Sequence, residues 1–183
     1  SVKNLTKEFG HFTAVKGISF DVYKGEIFGF LGANGAGKTT AMKMLIGISN
    51  PTSGEANVAG FDVHSQADMV KKSIGYMSQK FSMYDDLTIK ENITFFGEIY
   101  GLSRIQIKQK IAQLIEELEL QEVANNLVGS LPLGWKQKLS FSVALLHEPK
   151  IVFLDEPTGG VDPITRRQFW EMIYAKAHTG TTI

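Results

Sequence analysis

The nine residues Gly32-Ala33-Asn34-Gly35-Ala36-Gly37-Lys38-Thr39-Thr40 carry the densest chemistry in the 183-residue sequence. They match G-x-x-x-x-G-K-[ST], a spacing suited to holding phosphate. Gly32, Gly35 and Gly37 let the backbone curl so that successive N–H groups point inward at an anion. A helix read over Thr40-Ala41-Met42-Lys43-Met44-Leu45-Ile46 begins near Lys38 and aims the positive end of its dipole at the same place. Lys38 supplies a point charge for β- and γ-phosphates, and Thr39 a hydroxyl for Mg²⁺. The apolar run Ile27-Phe28-Gly29-Phe30-Leu31 just before the motif predicts a buried parallel strand. The motif thus sits in a strand–loop–helix context, which outweighs the alternative of a glycine-rich turn with no ligand.

Asp155-Glu156 is the second candidate group. The four-residue apolar run Ile151-Val152-Phe153-Leu154 is too short for a helix and suits a buried strand. It delivers two adjacent carboxylates at its C-terminal end, where open α/β sheets bind ligands. Two acids on the buried side of such a sheet are costly without a cation, and Mg²⁺ would supply one. A solvated strand-end acid pair is the alternative, weakened by the phosphate loop upstream.

Elements that could position these groups follow from the pattern of the chain. Val2–Phe9 and Phe12–Val22 read as strands around a Gly10-His11 turn. Phe9 is open to two readings, a core aromatic or an exposed ring for stacking a purine base, and the pattern alone favours the core. Glu55–Val58 and Ile74–Gln79 read as strands and Gln66–Lys72 as a short helix. Gln79, at a strand end, is by itself an ordinary loop residue. From Leu87 to His147 the pattern turns helical, with stripes over Thr88–Tyr100 and Ser103–Leu120 and a third helix over Gly134–His147. Residues 87–147 are expected to form an inserted helical subdomain without strands. Asp162-Pro163 reads as an N-cap followed by proline at the first helical position, with the helix ending before Gly180.

Composition narrows the class. Nineteen basic residues balance nineteen acidic ones, so there is no bulk basic footprint for nucleic acid. There is no cysteine, hence no disulfide or thiolate metal site, and the four histidines show no ligand spacing. No apolar run reaches the ~18 residues of a membrane span and no signal peptide opens the chain. The expectation is a soluble, cytosolic domain that serves a membrane, if at all, from outside the bilayer.

Taken in order, these motifs resemble an ABC-type ATPase domain over nearly the whole of residues 1–183. The resemblance implies an α/β fold: a P-loop NTPase core with a parallel sheet, an antiparallel β edge and the helical subdomain. It implies ATP and Mg²⁺ as ligands. Phe9 then becomes the adenine-stacking aromatic, and Asn34, Gly35, Ala36, Gly37, Lys38, Thr39 and Thr40 bind the nucleotide. Gln79 takes the position that contacts Mg²⁺ and the attacking water, Asp155 holds Mg²⁺ with Thr39, and Glu156 is the general base. Gly159-Gly160-Val161-Asp162 is similar to the loop that faces a partner ATPase domain.

The family's Leu-Ser-Gly-Gly-Gln signature is altered here to Leu131-Pro132-Leu133-Gly134-Trp135. Pro132 lacks both hydroxyl and N–H, Leu133 replaces a glycine, and Gly134 remains as the contact to a partner-bound γ-phosphate. The Leu-Pro-Leu-Gly form, with Phe95-Phe96-Gly97-Glu98-Ile99-Tyr100-Gly101-Leu102, is similar to the ABC-2-type exporter branch and to a related ribosome-associated ATPase. The implied activity is ATP hydrolysis driving a membrane exporter, at the cytoplasmic face of the inner or plasma membrane. The implied partners are a transmembrane subunit and a second ATPase domain, in the same or a tandem chain. A ribosomal ATPase, or a nucleotide-binding half with little turnover, is the alternative. The family's switch histidine would lie beyond Ile183, so the chain is expected to be a domain truncated at its C-terminus. Lys80-Phe81-Ser82-Met83-Tyr84 is expected either to dock a membrane subunit or to pack on the helical subdomain.

Overall fold

Short strands bearing Val2, Leu5, Phe9, Val15, Ile18 and Phe20, turned at Gly10 and Gly60, build the first sheet. The computed structural model describes residues 1–33, 35–79 and 83–183. β1 (Val2–Phe9) and β2 (Phe12–Phe20) pair antiparallel around Gly10-His11, with Phe9 opposite Phe12. β3 (Ser53–Val58) pairs antiparallel with the other edge of β1, and β4 (Phe61–Asp62) folds back on β3, giving the order β2-β1-β3-β4. Helix α1 (Lys38–Leu45) and the short α2 (Ala67–Ser73) belong to the same unit. Its core gathers Leu5, Val15, Met44, Ile46, Val58 and Val70.

A second, separate sheet joins β5 (Ile74–Met77) to β6 (Ile151–Leu154). Beyond β6, Ile151 bridges Thr182 in parallel. The Ile183 N–H then donates to the Glu26 carbonyl at 3.0 Å, and its carbonyl accepts from Phe28 N–H at 2.8 Å. That alternation is the hydrogen-bond pattern of a parallel pair.

The expected strand over residues 27–31 is corrected here. The segment bonds to Ile183 only around Phe28, and no regular strand forms through it. Phe28 and Phe30 are half-buried in a ring cluster with Phe20, at centroid distances of 4.9–5.3 Å. Gly29 and Leu31 face solvent, Leu31 with 96% of its surface exposed. An apolar run was read as buried on both faces, but one face has no element packed on it among the described residues.

The chain separates into two compact units. The first comprises Ser1–Tyr76, Lys150–Phe153 and Ala175–Ile183, and the second Met77–Pro149 and Leu154–Tyr174. The second unit holds α3 (Ile89–Ile99), α4 (Arg104–Glu117), α5 (Leu133–Ala144) and most of α6 (Pro163–His178). Reciprocal capping boxes start two of these helices, Thr88 with Glu91 and Ser103 with Gln106. Their apolar stripes meet in a core that includes Ile89, Ile93, Leu114, Leu120, Leu139 and Val143.

Of the buried polar side chains among the described residues of this unit, Asn92 lies deepest. Asn92 has no exposed surface. Its Nδ2 donates to the carbonyls of Tyr84 at 2.9 Å, Thr88 at 3.1 Å and Leu87 at 3.3 Å, and its Oδ1 accepts from Tyr84 N–H at 2.9 Å. The amide therefore ties the loop before α3 to the helix. Asn92→Ala is expected to lower stability by about 3 kcal/mol, because loop groups lose partners as well as the amide itself. Urea unfolding of the variant against wild type measures this.

Candidate functional site

The phosphate loop takes its shape from two left-handed glycines. Gly35 sits at φ 81° and Gly37 at φ 83°, a region that side chains disfavour. A Cβ on Gly37 would also collide with the Ala14 carbonyl of β2. The turn is closed by Ala36 N–H donating to the Ala33 carbonyl at 3.2 Å, and α1 begins immediately after Gly37. No acidic residue lies in the first turn of α1, so nothing opposes the positive end of its dipole. The Lys38 ammonium donates back to the Gly32 and Ala33 carbonyls, at 2.6 and 2.9 Å, which holds the charge over the loop. Gly35, Ala36 and Thr39 are exposed and Thr40 half-buried. Asn34 lies outside the described residues.

At the tip of the first hairpin Phe9 is 56% exposed, with the Lys7 ammonium 5.2 Å from its ring centroid. A ring so placed is not core, and it offers a face to solvent.

In the second unit, the segments that follow β5 and β6 converge. Asp155 N–H donates to the Met77 carbonyl at 2.9 Å. Two residues beyond Met77, the Gln79 amide Nε2 donates to Glu156 Oε2 at 2.7 Å. The Asp155 side is buried, with 8% exposure, while Glu156 is exposed. Glu156 takes a left-handed backbone at φ 49°, a strain of about 1 kcal/mol or more for a residue with a Cβ. The bond from Gln79 and the Gly159 N–H on the Glu156 carbonyl, at 3.1 Å, hold it there. Among the described residues no cluster of three or more His, Asp or Glu side chains could grip a metal ion unaided. Gln79 and Asp155 in the second unit, and Thr39 in the first, each carry an oxygen donor of the kind that Mg²⁺ takes.

Gly134 occupies the second position of α5, after the N-cap Pro132, which gives no side-chain cap. A Cβ on Gly134 would come within 2.5 Å of Thr165 Cγ2 in α6. The glycine thus has a packing role that the sequence reading missed. Asp162 caps α6 as expected, its Oδ1 accepting from Ile164 and Thr165 N–H, both at 3.0 Å. Of the expected docking segment, Met83 is core of the second unit, Tyr84 is 46% exposed beside the Phe95 ring, and Lys80, Phe81 and Ser82 lie outside the described residues.

The family model for the ABC transporter matches residues 15–159, which span the phosphate loop, Gln79, Gly134 and Glu156. The chain belongs to the ABC transporter family. It is similar to the "Probable multidrug ABC transporter ATP-binding protein YbhF" of Escherichia coli (strain K12), with 47% identity over 99% of this chain and 31% of that protein. It is similar also to the "Linearmycin resistance ATP-binding protein LnrL" of Bacillus subtilis (strain 168), with 37% identity over 99% of this chain and 58% of that protein. The chain therefore spans less than two thirds of either relative. Among solved structures, an ATP-binding subunit of an ABC transporter superposes with a TM-score of 0.85 at 27% identity, covering 98% of this chain and 75% of that one. The expected α/β P-loop NTPase class is that of these ABC ATP-binding domains. No helix among the described residues of this ABC domain is long and apolar enough to cross a membrane.

The Asp162 cap has a pH signature. Hydrogen bonds from Thr165, side chain first and then backbone, hold its carboxyl below the ordinary 3.8. A depressed folded pKa means that the stabilisation is complete above 3.8 and disappears as pH falls through the lower folded value. In Asp162→Asn, whose amide oxygen still caps but does not titrate, this component of the acid dependence is expected to vanish. Thermal midpoints of both proteins, followed from neutral pH down through 3.8 and below, check it.

Proposed function

We propose that this domain binds ATP with Mg²⁺ and hydrolyses it as the motor of a membrane exporter. The observation that carries the reading is the 2.7 Å hydrogen bond from Gln79 to Glu156, beside the buried Asp155. A glutamine and an exposed carboxylate so joined can hold and deprotonate a water, while a buried carboxylate next to them suits a cation. In this reading the loop N–H groups, the α1 N-terminus and Lys38 bind the phosphates, and Phe9 stacks on the base. Glu156 Oε accepts the proton of the water that attacks the γ-phosphorus, and Gln79 orients that water. With its amide nitrogen on Glu156, Gln79 keeps its oxygen for the cation, alongside the Thr39 hydroxyl and the Asp155 carboxylate. The Mg²⁺ they would hold supplies neutralisation of the phosphate charge.

Residues 87–147 act in this proposal as the inserted helical subdomain. Gly134 and the start of α5 reach the γ-phosphate bound by a second ATPase domain, in a like or a tandem chain. A transmembrane subunit completes the exporter and places the domain at the cytoplasmic face of the membrane. The names of the relatives, one multidrug and one linearmycin resistance, support an exported rather than an imported cargo.

Two substitutions in the full-length protein test the chemistry. Lys38→Ala is expected to weaken ATP binding in calorimetry by roughly tenfold or more, the loss of a charged hydrogen-bonding group on phosphate. Glu156→Gln should bind ATP as wild type does and lose turnover by about 10²–10⁴-fold. Wild-type turnover in Glu156→Gln would remove the assigned base, and turnover stimulated by ribosomes but not by a membrane subunit would replace the exporter.

A further inference from the structure

We propose that Gln137 is a positioning residue that fastens the Glu156 turn to helix α5; the inference rests on Glu156 being the hydrolytic base. Gln137 is buried, with 7% exposure. Its Nε2 donates to the Gly159 carbonyl at 3.0 Å. Its Oε1 is buried as well and has no hydrogen-bond partner among the described residues. A buried acceptor left unpaired is a cost, and a methionine would fill the same space without it. Packing therefore does not account for a glutamine here. What the amide provides is the donor to Gly159.

Gly159 is a point of leverage on Glu156. Its N–H closes the turn onto the Glu156 carbonyl at 3.1 Å, while Gln137 holds its carbonyl. Downstream, Asp162 is fixed as the cap of α6. Between these points Gly159 and Gly160 are exposed and have no side chains to anchor the backbone. The Gln137 bond thus pins the middle of the 156–162 loop, and Gln79 pins the Glu156 carboxylate. Helix α5 begins at Leu133, in the altered Leu131-Pro132-Leu133-Gly134 segment, and Gln137 lies just over one turn further on. A shift of the α5 N-terminus is carried through Gln137 to the turn that aims the base.

The test is Gln137→Met in the full-length protein, alone and in the Glu156→Gln background. Alone, it is expected to lower kcat by about tenfold, the scale of losing a hydrogen bond that positions a reacting group. ATP affinity should be unchanged, and the thermal midpoint unchanged or raised because the unpaired Oε1 is gone. In the Glu156→Gln background the residual single-turnover rate should not fall further, since the two residues act through one another. Unchanged kcat, an equal further loss in the Glu156→Gln background, or a lowered thermal midpoint each overturns the proposal, the last two by showing a general structural role. A wild-type protein that does not hydrolyse ATP would instead sink the reading of the site.

Discussion

Gly37 has no room for a side chain. Its backbone is left-handed, and the Ala14 carbonyl of β2 occupies the place of a Cβ. This contact presses the phosphate loop onto the antiparallel sheet and sets where α1 starts. The consequences are electrostatic. The first N–H groups of α1 have no intrahelical acceptors, no acid shields them, and the lysine at the first helical position is drawn back over the loop. The proposed anion site is thereby assembled mostly from main chain, which cannot be lost by the rotation of a side chain.

The turn around Glu156 follows a different logic. There the geometry depends on side chains held by other side chains. Glu156 is kept in a strained backbone by its turn and by Gln79, and the turn is kept by Gln137. Such an arrangement is adjustable, because each member can be moved by the element that carries it. In the proposed function, a rigid main-chain site would serve binding and a tethered carboxylate the chemistry. Pro132 has neither hydroxyl nor N–H to offer, so in that proposal Gly134 and the start of α5 would make the contact to a partner-bound phosphate.

Much of this was readable in the sequence, for physical reasons. Apolar stripes at helical spacing placed the helices over Thr88–Tyr100 and Ser103–Leu120, and reciprocal caps at Thr88 and Ser103 start them in the structure. The Asp162-Pro163 pair announced α6. The phosphate loop was legible because its glycines and lysine are contiguous. Features that depend on a distant partner were not. Whether residues 27–31 are covered on two faces or one is decided by what packs on Gly29 and Leu31, and the run itself does not record that. Nothing local in the sequence marks Asn92 as buried, because its acceptors lie in the preceding loop. Gly134 was read as a phosphate contact alone, because nothing local signals the nearness of Thr165. For Met83 the sequence leaves docking and packing on the helical subdomain open, and the structure puts it in the core of the second unit.

The account stands on the claim that main-chain geometry at Gly37 makes the nucleotide site. Calorimetric titration of Gly37→Ala with Mg²⁺ and ATP, with folding verified by circular dichroism, tests it most directly. The loop must move off Ala14 to admit the methyl group, so ATP affinity is predicted to fall by roughly tenfold or more, as charged hydrogen bonds to phosphate lose their alignment. A folded Gly37→Ala variant that binds ATP as tightly as wild type would contradict the account.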